Sequence, residues 1–190
     1  MRRVLILMLL ALMTIPGGLV RGDSFVHKEF DQLVTEAEQI FVGTVTASQS
    51  RKLPTGAIVT DVTFSSLRVL KGSEARGDIV LTVLGGSVEG ETLKVGGFPE
   101  FRLGVTYLIF SKDNGTAIFP VVGGAQGMFQ IKQDPTTGEE LVLDAHGMAI
   151  TSPTVTDAIS TSASTPGPLR PPSPVTLDAF VQAIKNRLSP

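Results

Sequence analysis

Residues 57–70 read AIVTDVTFSSLRVL, and apolar side chains alternate with polar ones along this stretch, as in a strand with one buried face. Phe64 falls on an even position, whereas Leu67 and Val69 fall on odd ones. Because strand side chains alternate with a period of two, this change of parity requires one extra residue. We therefore predict a β-bulge at Ser65–Ser66, which bends the strand and returns both halves to one interior, as in a small closed sheet.

The segments on either side predict further strands. The first apolar run contains Gly43, an interior glycine typical of a bulge or sharp bend. Asn114–Gly115 predicts a type I′ hairpin turn, and residues 134–138 predict a second turn. Strands at this spacing, with no helix between them, predict an antiparallel barrel or sandwich. Besides residues 57–70, the predicted strands are residues 40–47, 78–84, 91–95, 105–111, 117–122, 128–132 and 139–144.

Two amphipathic helices are predicted at the ends of this strand region. Residues 23–38 place apolar side chains at steps of three and four, which indicates a short helix before the first strand. Residues 176–188 begin with a Thr N-cap and carry Lys185 and Arg187 near the end, which indicates a C-terminal helix. Its apolar face either docks on the sheet or contacts a partner, and we favour docking because a large exposed apolar stripe promotes association.

The segment before the C-terminal helix has a different composition. Residues 151–175 contain ten Ser or Thr and six Pro, so they bury too little apolar surface to offset the entropy of ordering. We interpret this segment as a semi-extended linker.

The N-terminal residues have the organisation of a secretory signal peptide. Two Arg precede an apolar run at residues 4–15, and small residues follow it up to Gly22. The run is shorter than the about 20 residues of a membrane-spanning helix. We expect cleavage after Gly22, with an uncleaved anchor as the alternative; no Cys follows the run for a lipoprotein anchor. Export of a chain without Cys indicates a bacterial periplasmic or extracellular protein.

Composition excludes several classes of function. Sixteen Lys and Arg against eighteen Asp and Glu give a net charge of −2, without the basic excess that nucleic-acid binding requires. The absence of Cys removes thiolate nucleophiles, disulfides and Cys-based metal sites, and two His are too few for a site of three imidazoles. We expect no cofactor, no metal and no nucleic-acid partner.

The sequence also offers little for catalysis. His146 lies near Asp144 and would serve a Ser-His-acid hydrolase, but no Gly-x-Ser-x-Gly elbow is present. His27 and His146 have no spacing typical of a metal site. Residues 123–127 are rich in Gly but lead into a strand, so we interpret them as a structural corner and not as a phosphate cradle. We therefore predict that the protein is not an enzyme.

Three short segments resemble the netrin-like module. They are EAEQIFVGTV at residues 36–45, LKG at residues 70–72 and GVTYLIF at residues 104–110. The resemblance extends over residues 35–132 and implies a partly open OB-type barrel, flanked by helices, that binds proteins. The metalloproteinase inhibitors of this family chelate zinc through an N-terminal Cys, which this sequence lacks, so that mechanism is not implied here.

These observations predict a mainly β protein. After a signal peptide at residues 1–22, we expect a small antiparallel OB-like, netrin-like barrel with an N-terminal helix at residues 23–150. A linker at residues 151–175 and an amphipathic helix at residues 176–190 complete the predicted organisation.

The predicted function is non-catalytic binding of another secreted or envelope protein, with an extracellular protease as one candidate partner. The loops at residues 85–104 form the predicted contact surface. Phe98, Phe101 and Arg102 are its candidate anchors, because aromatic and Arg side chains dominate the energetics of interfaces. A carrier of a small ligand in the barrel mouth, and an envelope-assembly protein that uses the last helix, are the alternatives.

Overall fold

The computed structural model describes four stretches of the chain, residues 27–73, 77–96, 98–151 and 173–189. The predicted signal peptide and residues 152–172 of the predicted linker lie outside the described residues. The described chain is mainly β, with a helix near each end.

Six strands form one antiparallel sheet in the order β3-β2-β1-β6-β7-β8, and β4 and β5 form a separate hairpin. Within the described ranges, β3 and β8 are the edges of the sheet, and strand pairing does not join them into a closed ring. The helices are α1 (Phe30–Glu36) and α2 (Leu177–Leu188). The strands are β1 (Gln39–Lys52), β2 (Ile58–Lys71), β3 (Ile79–Leu84), β4 (Gly86–Val88), β5 (Glu91–Leu93), β6 (Thr106–Ser111), β7 (Met128–Gln133) and β8 (Glu140–Leu143).

The pairing of β1 with β2 is irregular at the place where the sequence predicts a bulge. Val42 pairs with Arg68, whereas Thr44 pairs with Ser65, so β2 has one residue more than β1 between these pairs. The predicted extra residue is confirmed. The extra residue lies immediately after Ser65, within one position of the predicted bulge at Ser65–Ser66.

The bulge has the consequence that the sequence predicts for side-chain direction. Leu67 and Val69 pack in the same hydrophobic cluster as Phe64, although their numbers have opposite parity. Gly43 lies opposite the bulge, and a Cβ atom there would be 2.7 Å from Cδ2 of Leu67. Glycine at position 43 therefore leaves room for the Leu67 side chain, which would have to move to accommodate a Cβ atom there.

The sheet is buried on both faces. Leu108 and Phe110 of β6 belong to one cluster, and Tyr107 and Ile109 belong to the other, as the alternation of strand side chains requires. The two helices cover the first cluster, and residues of the loops before β6 and β7 cover the second. β1 and β2 are each fourteen residues long, and their pairing contains register shifts of the kind that bend a strand.

The C-terminal helix is confirmed, and its apolar face is docked on the sheet. The Thr176 hydroxyl accepts the N–H of Ala179 at 3.3 Å and so caps the helix. Phe180 and Ile184 are fully buried, and the Phe180 ring lies 5.0 Å from that of Phe129 on β7. Because this face is buried within the chain, it does not offer the apolar stripe on which the assembly alternative depends.

The N-terminal helix is shorter than the predicted residues 23–38. It begins at Phe30, because Glu29 and Gln32 form a capping box in which Gln32 Oε1 accepts the N–H of Glu29 at 2.9 Å. The prediction is therefore wrong at residues 27–29 and at residues 37–38, which are not helical, and residues 23–26 lie outside the described residues. At the other end, the Lys71 ammonium group donates to the carbonyl oxygen of Val34 at 2.8 Å.

The strand predicted at residues 117–122 is wrong. Val121 forms only an isolated bridge with Ser111, and Pro120 has no N–H to contribute to a ladder. The segment instead crosses to β3, where the carbonyl oxygen of Ile118 accepts the N–H of Leu84 at 2.8 Å.

The type I′ turn predicted at Asn114–Gly115 is also wrong. Positive φ angles occur at Asp113 (54°) and Gly115 (89°), and not at the two adjacent positions that this turn requires. By contrast, the turn at residues 134–138 is confirmed: Gly138 has a φ of 74° and donates to the carbonyl oxygen of Asp134.

Candidate functional site

The β4–β5 hairpin lies within the tract that the sequence identifies as the contact surface. A two-residue turn joins its strands, with positive φ at Glu89 (51°) and Gly90 (85°), as a type I′ turn requires. The strand predicted at residues 91–95 corresponds to β5, whereas β4 was not predicted. The hairpin folds against β1, where Ser50 Oγ accepts the N–H of Ser87 at 3.3 Å.

A cavity of about 540 Å³ lies between this hairpin, the adjoining ends of β1, β2 and β3, and the segment that follows β5. We call it the hairpin groove. Its volume falls within the range of small-molecule and peptide pockets, roughly 300–1,000 Å³. It is lined by residues 83–87, 92–96 and 98–101, together with Ser48, Ser50, Thr60, Val62 and Phe119.

Three phenylalanine rings form the apolar wall of the groove. Phe119 lies between Phe98 and Phe101, with ring centroids 4.7 Å and 5.7 Å away and interplanar angles of 22° and 17°. Phe101 also makes edge contacts with Phe64 and Tyr107, at 5.3 Å and 5.5 Å, so it joins the wall to the core. The wall is therefore anchored to the core through Phe101.

On the side of the hairpin groove opposite the phenylalanine rings, a chain of hydroxyl groups fixes the hairpin. Thr60 Oγ1 donates to the carbonyl oxygen of Gly85 at 2.6 Å and lies 2.9 Å from Ser50 Oγ, which accepts the Ser87 N–H. Since each hydroxyl has one proton, Ser50 donates to Thr60 and Thr60 donates to Gly85. These two hydroxyl groups therefore fix the hairpin, and neither is left with a proton for a ligand.

Gly86 allows the hairpin to approach this hydroxyl pair. Its φ is 131°, and a Cβ atom there would collide with Ser50 Oγ and Thr60 Oγ1. Both the left-handed backbone and the close approach require glycine at this position.

Charges around the groove are balanced. The Lys52 ammonium group bonds Glu91 Oε2 at 2.6 Å and joins β1 to β5, while Lys94 and Glu100 are exposed and of opposite sign. On the outer face of the same strands, Asp61 accepts from Arg51 at 2.5 Å, and this bond holds the pKa of the Asp61 carboxyl below its usual range.

The structure places the three candidate anchors differently. Phe98 and Phe101 line the groove and are half-buried in the ring stack, whereas Arg102 is exposed and is not among the lining residues. The N–H of Arg102 donates to the phenolic oxygen of Tyr107 at 3.0 Å. Tyr107 is fully buried, and this burial raises its pKa above the usual range.

The other residues considered for chemistry lie apart from the groove. Asp144 Oδ1 accepts the main-chain N–H groups of His146 and Met148, at 2.8 Å and 2.9 Å, and the His146 side chain is exposed. The His27 side chain is 80% exposed, with Nε2 3.5 Å from Glu29. Residues 124–127 form a short 3-10 helix that leads into β7. In the four described stretches, no three His, Asp or Glu side chains are grouped to hold a metal ion.

Sequence reasoning missed Phe119, which completes the ring stack, and the hydroxyl chain on β1 and β2. Ser48 and Ser50 continue the period of two beyond the predicted first strand. This pattern is a signal in the sequence that the strand extends to residue 50. Among the described residues, no helix has both the length and the apolarity to cross a membrane.

Comparison with known proteins adds no relative. No family model, no curated protein and no solved structure matches the chain.

Proposed function

We propose that this chain is an exported, non-catalytic protein-binding module and that the hairpin groove holds its partner. The observation that carries the proposal is the preformed groove, with a rigid wall of Phe98, Phe119 and Phe101 facing the hydroxyl-bearing ends of β1 and β2. Rigid aromatic anchors of this kind contribute large contact area at small entropic cost.

The lining chemistry favours binding over catalysis. The Ser50 and Thr60 protons are used within the chain, and within the described part of the chain no His lines the groove. A mixed apolar and hydroxyl surface, with its charges balanced between Lys94 and Glu100, suits recognition by shape and hydrogen bonding.

We also propose the type of β fold and the cellular location of the protein. The bulged β1 and β2, and the loop that bonds β3, agree with an OB-type, netrin-like barrel. Such a module, exported through the N-terminal signal sequence, would encounter secreted or envelope proteins, among them extracellular proteases.

A carrier of a small uncharged ligand is the second candidate function. The cavity volume of about 540 Å³ favours it, because a drug-sized molecule fits a pocket of this size. Thermal-shift measurement against a ligand panel distinguishes this function, since a carrier is stabilised by a small molecule without any protein partner.

Affinity capture from the secreted fraction of the native host tests the protein-binding proposal. We expect a stoichiometric partner whose capture is reduced at least about tenfold, or about 1.4 kcal/mol, by Phe98→Ala, since anchor truncation typically costs 1 kcal/mol or more. Lys185→Ala is the matched control, because Lys185 is exposed on α2, on the other face of the sheet. Equal capture by both variants would reject the groove as the binding site.

A further inference from the structure

The outer edges of β3, β8, β4 and β5 differ in whether their main-chain groups have hydrogen-bond partners. The outer edge of β3 is paired with the side chain of Asn114, whose Oδ1 accepts the N–H of Thr82 at 3.0 Å and whose Nδ2 donates to the carbonyl oxygen of Val80 at 2.7 Å. The amide group thus substitutes for a neighbouring strand, and the Leu84 N–H bonds to Ile118 beyond it.

The outer edge of β8 is covered as well. The N–H of Val142 donates to the carbonyl oxygen of Val175 at 2.9 Å, and the carbonyl oxygen of Val142 accepts from Ile150 at 3.2 Å. The edge of β4 bonds Ser50 through the N–H of Ser87. Proteins cover strand edges in this way because an open edge pairs with other chains.

The outer edge of β5 is left open. In a hairpin with a two-residue turn, the residues next to the turn exchange both main-chain hydrogen bonds, and the following pair directs its main-chain groups outwards. Val88 and Glu91 flank the turn, so Ser87 and Thr92 are the outward pair. The Ser87 N–H reaches Ser50, as this register requires. The N–H and C=O of Thr92 point away from β4 in the same register, and no turn or loop main-chain group within the described residues bonds them.

We infer that β5 binds an extended, uncharged segment of a partner protein, which adds as a strand beside Thr92 and places an apolar side chain in the hairpin groove. The inference rests on the proposed function and specifies how the same site binds. Thr92 of this edge and Lys94, which follows β5, also line the groove, so one extended chain contacts both the edge and the cavity.

The chemistry of the site determines the partner's composition. The main-chain groups of Thr92 need a donor and an acceptor at strand spacing, which another extended backbone supplies. The wall of Phe98 and Phe119 takes an apolar side chain, and the opposite charges of Lys94 and Glu100 give no advantage to a charged one.

Selection from a library of random linear peptides tests the inference. The protein is used in the form in which its host accumulates it. We expect selected peptides to be uncharged, with apolar residues at alternate positions. N-methylation of the peptide amide that pairs with Thr92 should weaken binding by about tenfold, the effect of one lost hydrogen bond. N-methylation at the neighbouring amide, which points away, is the matched control and should leave binding nearly unchanged.

A variant of the protein gives the reciprocal test. Thr92→Pro removes the outward N–H at a position where an edge strand tolerates proline, and Thr92→Val keeps the N–H while removing only the hydroxyl. Peptide binding should be lost in the first variant and retained in the second. Failure to select any peptide, or binding that is insensitive to both N-methylation and Thr92→Pro, would overturn the inference.

The outcomes separate this inference from the proposed function. A captured partner that is sensitive to Phe98→Ala but not to Thr92→Pro would leave the groove as the binding site and reject strand addition. Self-association of the chain that is abolished by Thr92→Pro would also reject it, because the open edge would then bind a second copy.

Discussion

The phenolic oxygen of Tyr107 accepts the main-chain N–H of Arg102 at 3.0 Å, and this bond ties the loop beside the hairpin groove to the core. Tyr107 is fully buried between the Phe101 and Phe64 rings. The loop that carries the three candidate anchors is therefore fixed by a buried polar group, which is a more specific support than apolar packing alone.

Tyr107 should titrate abnormally. Burial raises its pKa in the folded protein above the ordinary value of about 10, so its phenolate forms only at higher pH. Because the folded pKa is raised, this contribution to stability is complete below about pH 10 and is lost as the pH rises further. The chain has one Tyr and no Trp, so ultraviolet absorbance reports this group alone. The urea-unfolded chain provides the reference titration. If Tyr107 in the folded protein titrated at the ordinary pKa, this result would contradict its burial.

Gly86→Ala should destabilise the hairpin. The added methyl group collides with the Ser50–Thr60 hydroxyl pair at a backbone φ of 131°, so we expect a loss of about 2–3 kcal/mol in unfolding free energy. Gly96→Ala is the control, because a Cβ atom there has no neighbour within 4 Å and Gly96 has no positive φ. Urea unfolding of both variants is the measurement, and equal midpoints would contradict the close approach.

Phe180→Ala should destabilise the whole fold. The ring is fully buried and contacts Phe30, Phe110 and Phe129, so truncation should lower the unfolding free energy by about 3–5 kcal/mol. Lys185→Ala on the exposed side of α2 should change it by less than about 0.5 kcal/mol. If instead α2 were dispensable, the two variants would unfold at the same denaturant concentration.

Asn114→Ala should uncover the β3 edge. Two hydrogen bonds are lost from groups that then become accessible to water, so the expected destabilisation is about 1 kcal/mol, with increased self-association. Asn186→Ala on α2 serves as the matched control, because its amide is exposed and bonds Gln182, its one partner among the residues that the structure describes. Sedimentation and urea unfolding measure the two effects; a variant as stable and monomeric as the control would show that Asn114 does not protect the edge.

Local patterns were sufficient for most of the secondary structure. The parity change between Phe64 and Leu67 predicted the bulge, since a period of two is a property of the strand itself. The Thr176 cap and the apolar spacing after it similarly predicted α2. Both features depend on residues within a few positions of one another.

The wrong predictions concern residues whose contacts are with residues far away in the sequence. Asn114 looked like a hairpin turn residue because Asn-Gly favours one, but its amide is used on the edge of β3. The sequence pattern predicts a strand around Phe119, whereas its ring lies between those of Phe98 and Phe101. Tertiary contacts decided both positions, and no local propensity encodes them.

In our proposal, the open edge of β5 beside the hairpin groove binds an extended partner segment. Amide hydrogen exchange at Thr92, measured by NMR with and without a selected peptide at saturating concentration, tests it most directly. The claim predicts that the Thr92 amide becomes strongly protected on binding, while the amide of Ser87, already bonded to Ser50, changes little. Bound peptide with unchanged exchange at Thr92 would contradict it.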